Sequence, residues 1–417
     1  MTGKTIWTIM MDNCLPEHGP HNRHFWFAKH LKDQGYNPVV FVASRERGNA
    51  IQIIEDDAPF KVDDSYGFPF VYIRIKDYGE SMKKRILAIF EFHKRLNKYA
   101  DTFAEMYGKP DVILGSNGYP LSPWLANRFA KKYKAASVCE ICDMWPLALE
   151  EYDVIKRGGM IARALYAVER KNYERADAIV FSMEGGIEYL RDKGLDSKSG
   201  GSVDLDKVYH INNGVELAVF DRNAVAYSYP LDNGEEDVKR VVYTGSVRAV
   251  NDIDSLIDVA ALMGEEPVRF YIVGGGDKLQ ETKDKAESLG LKNVCFVGHV
   301  EKKLIPSILM QADLVLVHQR ADTLIAKYGG SQNKLFDYLA SGTPILSNVP
   351  SNYSVIEAEG CGLEVSLPTA LDYAEKLRFM LADDGRLQRW GENARRAAHK
   401  YSFDALTQRL AEVIERL

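Results

Sequence analysis

A lysine that follows two glycines at the start of a short helix is the most chemically suggestive feature of this chain. The run Tyr328-Gly-Gly-Ser-Gln-Asn-Lys-Leu-Phe-Asp-Tyr-Leu-Ala-Ser-Gly-Thr-Pro-Ile-Leu346 reads as a glycine-rich loop, a short helix and then a strand. Gly329 and Gly330 let the backbone approach a ligand closely. Ser331 or Asn333 is placed to cap the helix, whose free N–H groups form an anion site. Lys334 falls in the first turn, where a cation opposes the helix dipole and costs stability unless an anion answers it. Gly342 and Pro344 end the helix, and Pro344–Leu346 feeds a buried strand. This arrangement predicts a bound phosphate.

The elements that must position such a site alternate along the chain. In the first half, strand-like runs at Thr5–Met10, Pro38–Ala43, Val71–Ile75, Val112–Leu114, Ser137–Ile141 and Ala178–Phe181 are separated by helical patterns near 22–35, 81–107, 122–134 and 160–175. That order predicts an α/β fold with a parallel, doubly wound sheet. Val208–Ile211 runs into the turn Asn212-Asn-Gly214, which sets a domain end near residue 215, and the polar stretch Tyr227–Glu236 reads as a linker. The second half repeats the plan. Strands are expected at Val241–Thr244, Val268–Val273, Val294–Val297, Leu314–His318 and Pro344–Ser347, with helices near 252–264, 277–290 and 301–311. Two Rossmann-like domains, 1–215 and 216–402, would present the carboxyl ends of their strands to a central cleft.

Composition narrows the function class. A chain of 417 residues is too long for one ordinary core. The net charge of −6 divides unevenly: residues 1–215 carry 30 Lys+Arg against 29 Asp+Glu, and residues 216–417 carry 23 against 30. Neither half has the basic excess of a nucleic-acid binder. The five cysteines are an odd number, which argues against a disulfide framework and for a reducing cytoplasm. Lys4 precedes only the short run Ile6–Met11, unlike a secretory signal, and no stretch approaches the ~20 apolar residues that span a bilayer.

Five segments, in order and covering nearly the whole chain, resemble the GT-B glycosyltransferases of family 4. Asn333-Lys-Leu-Phe-Asp-Tyr-Leu-Ala-Ser-Gly-Thr-Pro344 is similar to the family's C-terminal donor-site signature. Ile211-Asn-Asn-Gly-Val-Glu-Leu-Ala-Val-Phe220 is similar to its interdomain signature, and Val242-Tyr-Thr-Gly-Ser246 to the first strand and loop of its donor domain. Ile272–Asp277 with Val294–Val300 resembles the nucleotide-base region, which brings in His299 and Val300. Glu140-Ile-Cys-Asp-Met-Trp-Pro146 resembles an acidic segment found in one branch. The resemblance implies a retaining enzyme, a hexosyltransferase that uses a nucleotide-diphosphate sugar of UDP or GDP type and requires no metal or further cofactor. It also implies that the amphipathic segment 403–417 crosses back to pack on the first domain.

Cleaving a sugar–diphosphate bond builds charge on the leaving phosphate and cationic character on the sugar, and the catalyst must stabilise both. Without a metal, the phosphate charge falls to Lys334, to the N–H groups of Gly329, Gly330 and Ser331, and to the loop with Gly245, Ser246 and Arg248. Where the family usually carries an Arg and a Lys in that loop, this chain has Ser246 and, approximately, Asn251. Asp337 matches the second acid of the family's Glu-x7-Glu pair, which implies a hold on a ribose hydroxyl pair; an ion pair with Lys334 is the alternative. The first acid of that pair falls on Gly329. In the first half, the loop Pro16-Glu-His-Gly-Pro-His-Asn-Arg23 offers Gly19, His21 and Arg23, with His24, to the acceptor. Asp143 is the carboxylate expected near the reacting sugar, or else a cap before Trp145-Pro146.

Other motifs carry less. Cys139-x-x-Cys142 lacks the second pair of a zinc site and lies on a strand, where a redox pair would open a helix. Gly274-Gly-Gly276 lacks the spacing and position of a dinucleotide fingerprint. The segment Ser81–Lys98 sets Lys83, Lys84, Arg85, Lys94, Arg95 and Lys98 against Glu91 alone, among Ile86, Leu87, Ile89, Phe90, Phe92 and Leu96. Such a basic amphipathic helix fits either a core helix with a solvated face or a peripheral contact with an anionic membrane. The resulting expectation is a cytoplasmic glycosyltransferase that meets the inner face of a bacterial plasma membrane. It would move a sugar to a saccharide, polyprenyl-linked for a surface polysaccharide. The departures at Gly329, Ser246 and Asn251 keep open a catalytically silent subunit that binds a nucleotide or glycan, and the fold also serves epimerases and phosphorylases.

Overall fold

The computed structural model describes all residues except 1, 2, 13, 18, 20, 21, 47–50, 80, 232–236 and 321–323. The chain forms two compact units, Met1–Asn212 with Phe403–Leu417, and Asn213–Ser402. Their boundary precedes Gly214, so the chain has entered the second unit before the stretch read as a linker. The described part of that stretch packs within the second unit: the Tyr229 and Leu231 N–H groups donate to Ser307 Oγ and Gln311 Oε1, at 3.0 and 3.2 Å.

Unit 1 is built on eight strands: β1 (Thr5–Ile9), β2 (Asn37–Ala43), β3 (Phe60–Asp63), β4 (Phe70–Ile73), β5 (Val112–Ser116), β6 (Ala136–Ile141), β7 (Ala178–Phe181) and β8 (Val208–His210), in the order β3-β4-β2-β1-β5-β6-β7-β8. Every pairing is parallel except β3 with β4, an edge strand that the sequence reading did not include. Its mixed composition, Phe-Lys-Val-Asp, gives it only a weak strand pattern. The inner strands are continuous buried runs, as a sheet covered on both faces requires. Helices α1 (Arg23–Asp33), α2 (Met82–Tyr107), α3 (Leu121–Tyr133), α4 (Leu147–Glu151), α5 (Met160–Arg175) and α6 (Gly186–Asp192) link them. Along α2 the stripe Ala88, Phe92, Leu96, Ala100 and Phe103 is buried at helical spacing. Trp7 anchors the core beneath it, with the Phe41 ring 5.2 Å away, centroid to centroid. The C-terminal helix Phe403–Glu415 packs on α1, where Phe403 stacks on Trp26 at 6.5 Å and meets Phe27 edge-on at 5.8 Å.

Among the described residues, unit 2 has six strands, all parallel: β9 (Lys239–Thr244), β10 (Val268–Val273), β11 (Val294–Gly298), β12 (Leu314–Val317), β13 (Ile345–Ser347) and β14 (Gly362–Glu364), in the order β11-β10-β9-β12-β13-β14. Its helices are α7 (Leu217–Ala226), α8 (Ile253–Leu262), α9 (Leu279–Ser288), α10 (Ile305–Leu309), α11 (Asn333–Ser341), α12 (Val355–Ala358), α13 (Ala370–Leu381) and α14 (Asp384–Lys400). β9 is central, and Val242 and Tyr243 on it are fully buried. The loops after β9, β10 and β11 therefore open at the carboxyl edge beside α11, the edge where such sheets hold ligands.

Candidate active site

In unit 2, Lys334 occupies the first turn of α11. The residue is partly exposed, but its Nζ is buried and has no hydrogen-bond partner among the described residues. The ammonium lies 4.1 Å from the centroid of the Tyr243 ring. Burial pulls the Lys334 pKa down to about 7. At about 1.36 kcal/mol per unit, this is a cation held at a cost of several kcal/mol. An anion at Nζ would remove that cost. The Asp337 carboxylate, on the same helix, does not supply it: Asp337 pairs with Lys302, not Lys334, and its side chain is 13% exposed.

The loop after β9 approaches Lys334 through backbone. Gly245 has φ 147°, and a Cβ there would lie 2.9 Å from Lys334 Nζ and 2.9 Å from the Tyr243 hydroxyl. A Cβ on Gly274 would fall 1.8 Å from the Gly245 carbonyl oxygen. The Gly274–Gly276 triplet thus lets two loops touch: Gly245 N–H donates to Val273 O, and Val247 N–H to Gly275 O, each at 2.9 Å. Ser246 Oγ donates to Asn251 Oδ1 at 2.7 Å, so the two residues standing where the family carries cations satisfy each other. Arg248 points outward, mostly exposed, with Asp277 3.9 Å away.

Several residues expected at the phosphate have other duties. The Gly329 N–H donates to Ala326 O at 3.1 Å, so that amide is not free for a ligand. Gly329 has φ 97°, a backbone that favours glycine, while Gly330 is half-buried. The residue preceding α11 is Gln332, and its side chain makes no capping bond. Ser331 Oγ accepts from Asn213 N–H at 2.9 Å and Asn333 Oδ1 from Asn213 Nδ2, so both residues tie down the segment that opens unit 2 instead of capping. His299 is exposed beside Gly275, and Val300 packs against the core under α11.

Sequence reading missed Tyr243 and His318. His318 is buried at the end of β12, its Nε2 3.0 Å from both Asp252 O and Ser255 Oγ. Burial, with a smaller effect from the Lys334 charge, drives its pKa down to about 4. The signal for Tyr243 was present: an aromatic residue two positions before the glycine of a site loop.

Unit 1 gathers its polar residues at the carboxyl edges of β1, β5 and β6. Arg23 is not exposed to an acceptor. It is 6% exposed, donates from Nε to Glu140 Oε1 at 3.0 Å, and holds the carbonyls of Asn212 and Ile211 at 2.5 and 2.8 Å. These partners lie far away in sequence, so loop composition gave no hint of them. His24 Nε2 meets Glu140 Oε2 at 2.5 Å. Burial alone would raise the Glu140 carboxyl, but His24 and Arg23 hold it well below the usual carboxylate range. His24, Glu140 and Cys142 have ligand atoms within 4.8 Å of one another. Arg23 and His24 already engage both carboxylate oxygens, and a divalent ion would add charge beside the guanidinium. Burial pushes the Cys139 and Cys142 thiols far up, away from the thiolate that redox or metal chemistry requires.

Asp143 presents an exposed side chain on the loop after β6, while its backbone is fixed by Asn117, whose Nδ2 donates to Asp143 O at 2.7 Å. Nearby, the Tyr119 hydroxyl donates to Asp12 Oδ2 at 2.8 Å and accepts from Arg85 Nη2 at 2.5 Å. Arg85 thus leaves the basic face read for α2 and joins this cluster, and Arg95 turns to Glu91 at 2.8 Å. Gly19 is half-buried, its carbonyl accepting from Asn22 Nδ2 at 2.9 Å; His21 lies outside the described residues.

Comparison with known proteins fits this geometry. Residues 232–397 match the family described as glycosyl transferases group 1, and residues 18–199 match the glycosyl transferase 4-like domain. The chain is 25% identical, over 63% of its length, to the colanic acid biosynthesis glycosyl transferase WcaI of Escherichia coli K12; the match spans 62% of that relative's own length. In fold it is similar to the sucrose-phosphate synthase of Thermosynechococcus elongatus, with TM-score 0.72, 17% identity, and 99% and 98% of the two chains covered. It is also similar to Anabaena HepE in complex with UDP, with TM-score 0.70, 14% identity, and 99% and 100% covered. The two family models together take in most of both units, and the chain belongs to the GT-B glycosyltransferases of family 4.

Proposed function

We propose that this enzyme transfers a sugar, with retention, from a UDP- or GDP-sugar to a saccharide acceptor that is lipid-linked, for a surface polysaccharide. The observation that carries the donor half is the buried, unpartnered Lys334 ammonium at the start of α11, facing the Gly245 loop. It is suited to neutralise the leaving diphosphate without a metal. Asp337 would exchange its Lys302 contact for, or share it with, a ribose hydroxyl pair. Arg248 is long and exposed enough to reach an outer phosphate. Asp143, exposed on the loop after β6, would supply the carboxylate for the acceptor side. A neighbour in fold binds UDP and a relative is named for colanic acid synthesis, which support this choice of donor and pathway class. Thermal shift with UDP-, GDP- and ADP-sugars, followed by sugar transfer by Lys334→Ala, tests it. A donor that stabilises the protein yet is turned over equally well by the variant would refute the site.

The membrane contact rests on unit 1. Among the described residues no helix is long and apolar enough to cross a membrane. The first turns of α2 expose Met82, Ile86, Leu87 (68%) and Phe90 (57%) among Lys83, Lys84 and Lys94. The start of α5 exposes Met160 (87%) and Ile161 (66%) near Lys156 and Arg163. α3 packs beside both helices, and each of these helix starts follows a parallel strand, which sets it toward the carboxyl edge of the sheet. An anionic bilayer matches that mixture. Co-sedimentation with vesicles containing phosphatidylglycerol should fall in Phe90→Asp and Ile161→Asp; unchanged binding would remove this surface.

A further inference from the structure

We propose that Tyr243 is a positioning residue of the donor site: its ring faces the Lys334 ammonium and its hydroxyl ties down the turn at Gly245–Ser246, so that one side chain orients both the cation and the loop against the donor diphosphate. This inference rests on the donor-site reading above. Tyr243 is fully buried on β9, the central strand. Its ring centroid is 4.1 Å from Lys334 Nζ, and its hydroxyl donates to Ser246 O at 2.9 Å. Nothing in the described structure hydrogen-bonds that ammonium. A desolvated cation over an aromatic face is attracted by the ring quadrupole. The ring offers the ammonium no hydrogen bond, so all three N–H donors stay free for phosphate oxygens. A carboxylate in its place would compete with the ligand.

The same geometry makes the site responsive to pH. Tyr243 on β9 faces Nζ, His318 lies just beyond β12 and feels the Lys334 charge, and Tyr338 and Asp337 share helix α11 with Lys334. Burial raises both phenols well above their ordinary value and pushes His318 down to about 4, and Asp337 is committed to Lys302. Among these, Lys334 is the group whose charge changes near neutrality.

Calorimetric binding of UDP and GDP from pH 6 to 9 provides the test. In the wild type, affinity for the better-bound nucleotide should fall as pH rises through the Lys334 titration. Tyr243→Phe should keep that pH midpoint while losing part of kcat through the freed turn. Tyr243→Leu should move the midpoint to lower pH and weaken binding at pH 7.5 by roughly tenfold, the size of a desolvated cation–π contact. Replacing Tyr243 by mono-, di- and trifluorophenylalanine keeps the packing and should weaken binding stepwise as the ring face loses electron density. If the fluorinated series binds equally and Tyr243→Leu keeps the wild-type profile while Lys334→Ala loses binding, the inference fails and the donor site stands. If Lys334→Ala also binds like the wild type, both fail.

Discussion

The two units each bury a charge, and they treat it in opposite ways. In unit 1, Glu140 is enclosed, but Arg23 and His24 take both its oxygens. In unit 2, the Lys334 Nζ is enclosed and no described residue takes it. A buried charge whose partners are all supplied by the fold is part of the fold; removing one partner leaves the other stranded. A buried charge left unanswered costs stability, and a site that binds an oppositely charged ligand recovers it. The residue expected to touch a ligand in unit 1, Arg23, belongs to the first kind, and Lys334 belongs to the second.

The contrast can be broken most sharply at Lys334. Lys334→Met should lower turnover by about 100-fold or more, as loss of a charge-stabilising donor does, while raising the melting temperature of the ligand-free protein. Lower stability together with unchanged turnover would place Lys334 with the structural charges. Glu140→Ala should do the reverse. It should cost about 3–5 kcal/mol, because Arg23 and His24 are left buried and unpaired, and denaturant unfolding of the purified variant measures this. A near-neutral result would show that the cluster is not holding unit 1 together. Asp337→Asn should raise the donor KM by roughly tenfold, with a smaller change in kcat, as expected when a ribose contact worth about 1–2 kcal/mol is lost. Equal effects on an acceptor-side KM would move Asp337 out of the donor site.

The most direct comparison concerns pH alone. Lys334 has its folded pKa depressed to about 7, below its unfolded value. Between roughly 7 and 10 the unfolded chain therefore binds more protons, and ligand-free stability should rise with pH across that window. Bound UDP should flatten the rise by restoring the charged form, and its binding should take up a proton there, read by calorimetry in buffers of different ionisation enthalpy. Glu140 has its folded pKa depressed below the usual carboxylate range. Its contribution is present above about pH 4.3 and lost as pH falls below that. Urea midpoints for wild type, Lys334→Met and Glu140→Ala across pH 3–9 would separate the two behaviours.

Much of this arrangement was legible along the chain, and the failures share a cause. Val268–Val273 and Ala178–Phe181 are dense apolar runs between turn signals, so their bounds could be read directly. The edge strands β3 and β14 could not, because four and three residues of mixed polarity carry little periodicity. Helix α7, with its strong apolar content, was not read, because the Asn212–Gly214 turn before it and the polar stretch after it marked the segment as a connection. The site divides along the same line. Lys334 stands at a helix start behind two glycines, and that is a local pattern. The Asp337–Lys302 pair, the grip of Ser331 and Asn333 on Asn213, and the Ser246–Asn251 bond join or depend on loops packed side by side, which no spacing announces.

The sequence by itself determined the alternation of strands and helices, the two-unit plan and the presence of a cation at the head of α11, because each follows from short-range periodicity and turn chemistry. Only the tertiary structure decided which charges are answered. Arg23 and Lys334 are both basic residues in the first turn of a helix. One meets a carboxylate 117 positions away, and the other meets an aromatic ring on the central strand. Desolvation and long-range pairing act through space, and they turn the same local pattern into a structural brace in one unit and a waiting anion site in the other.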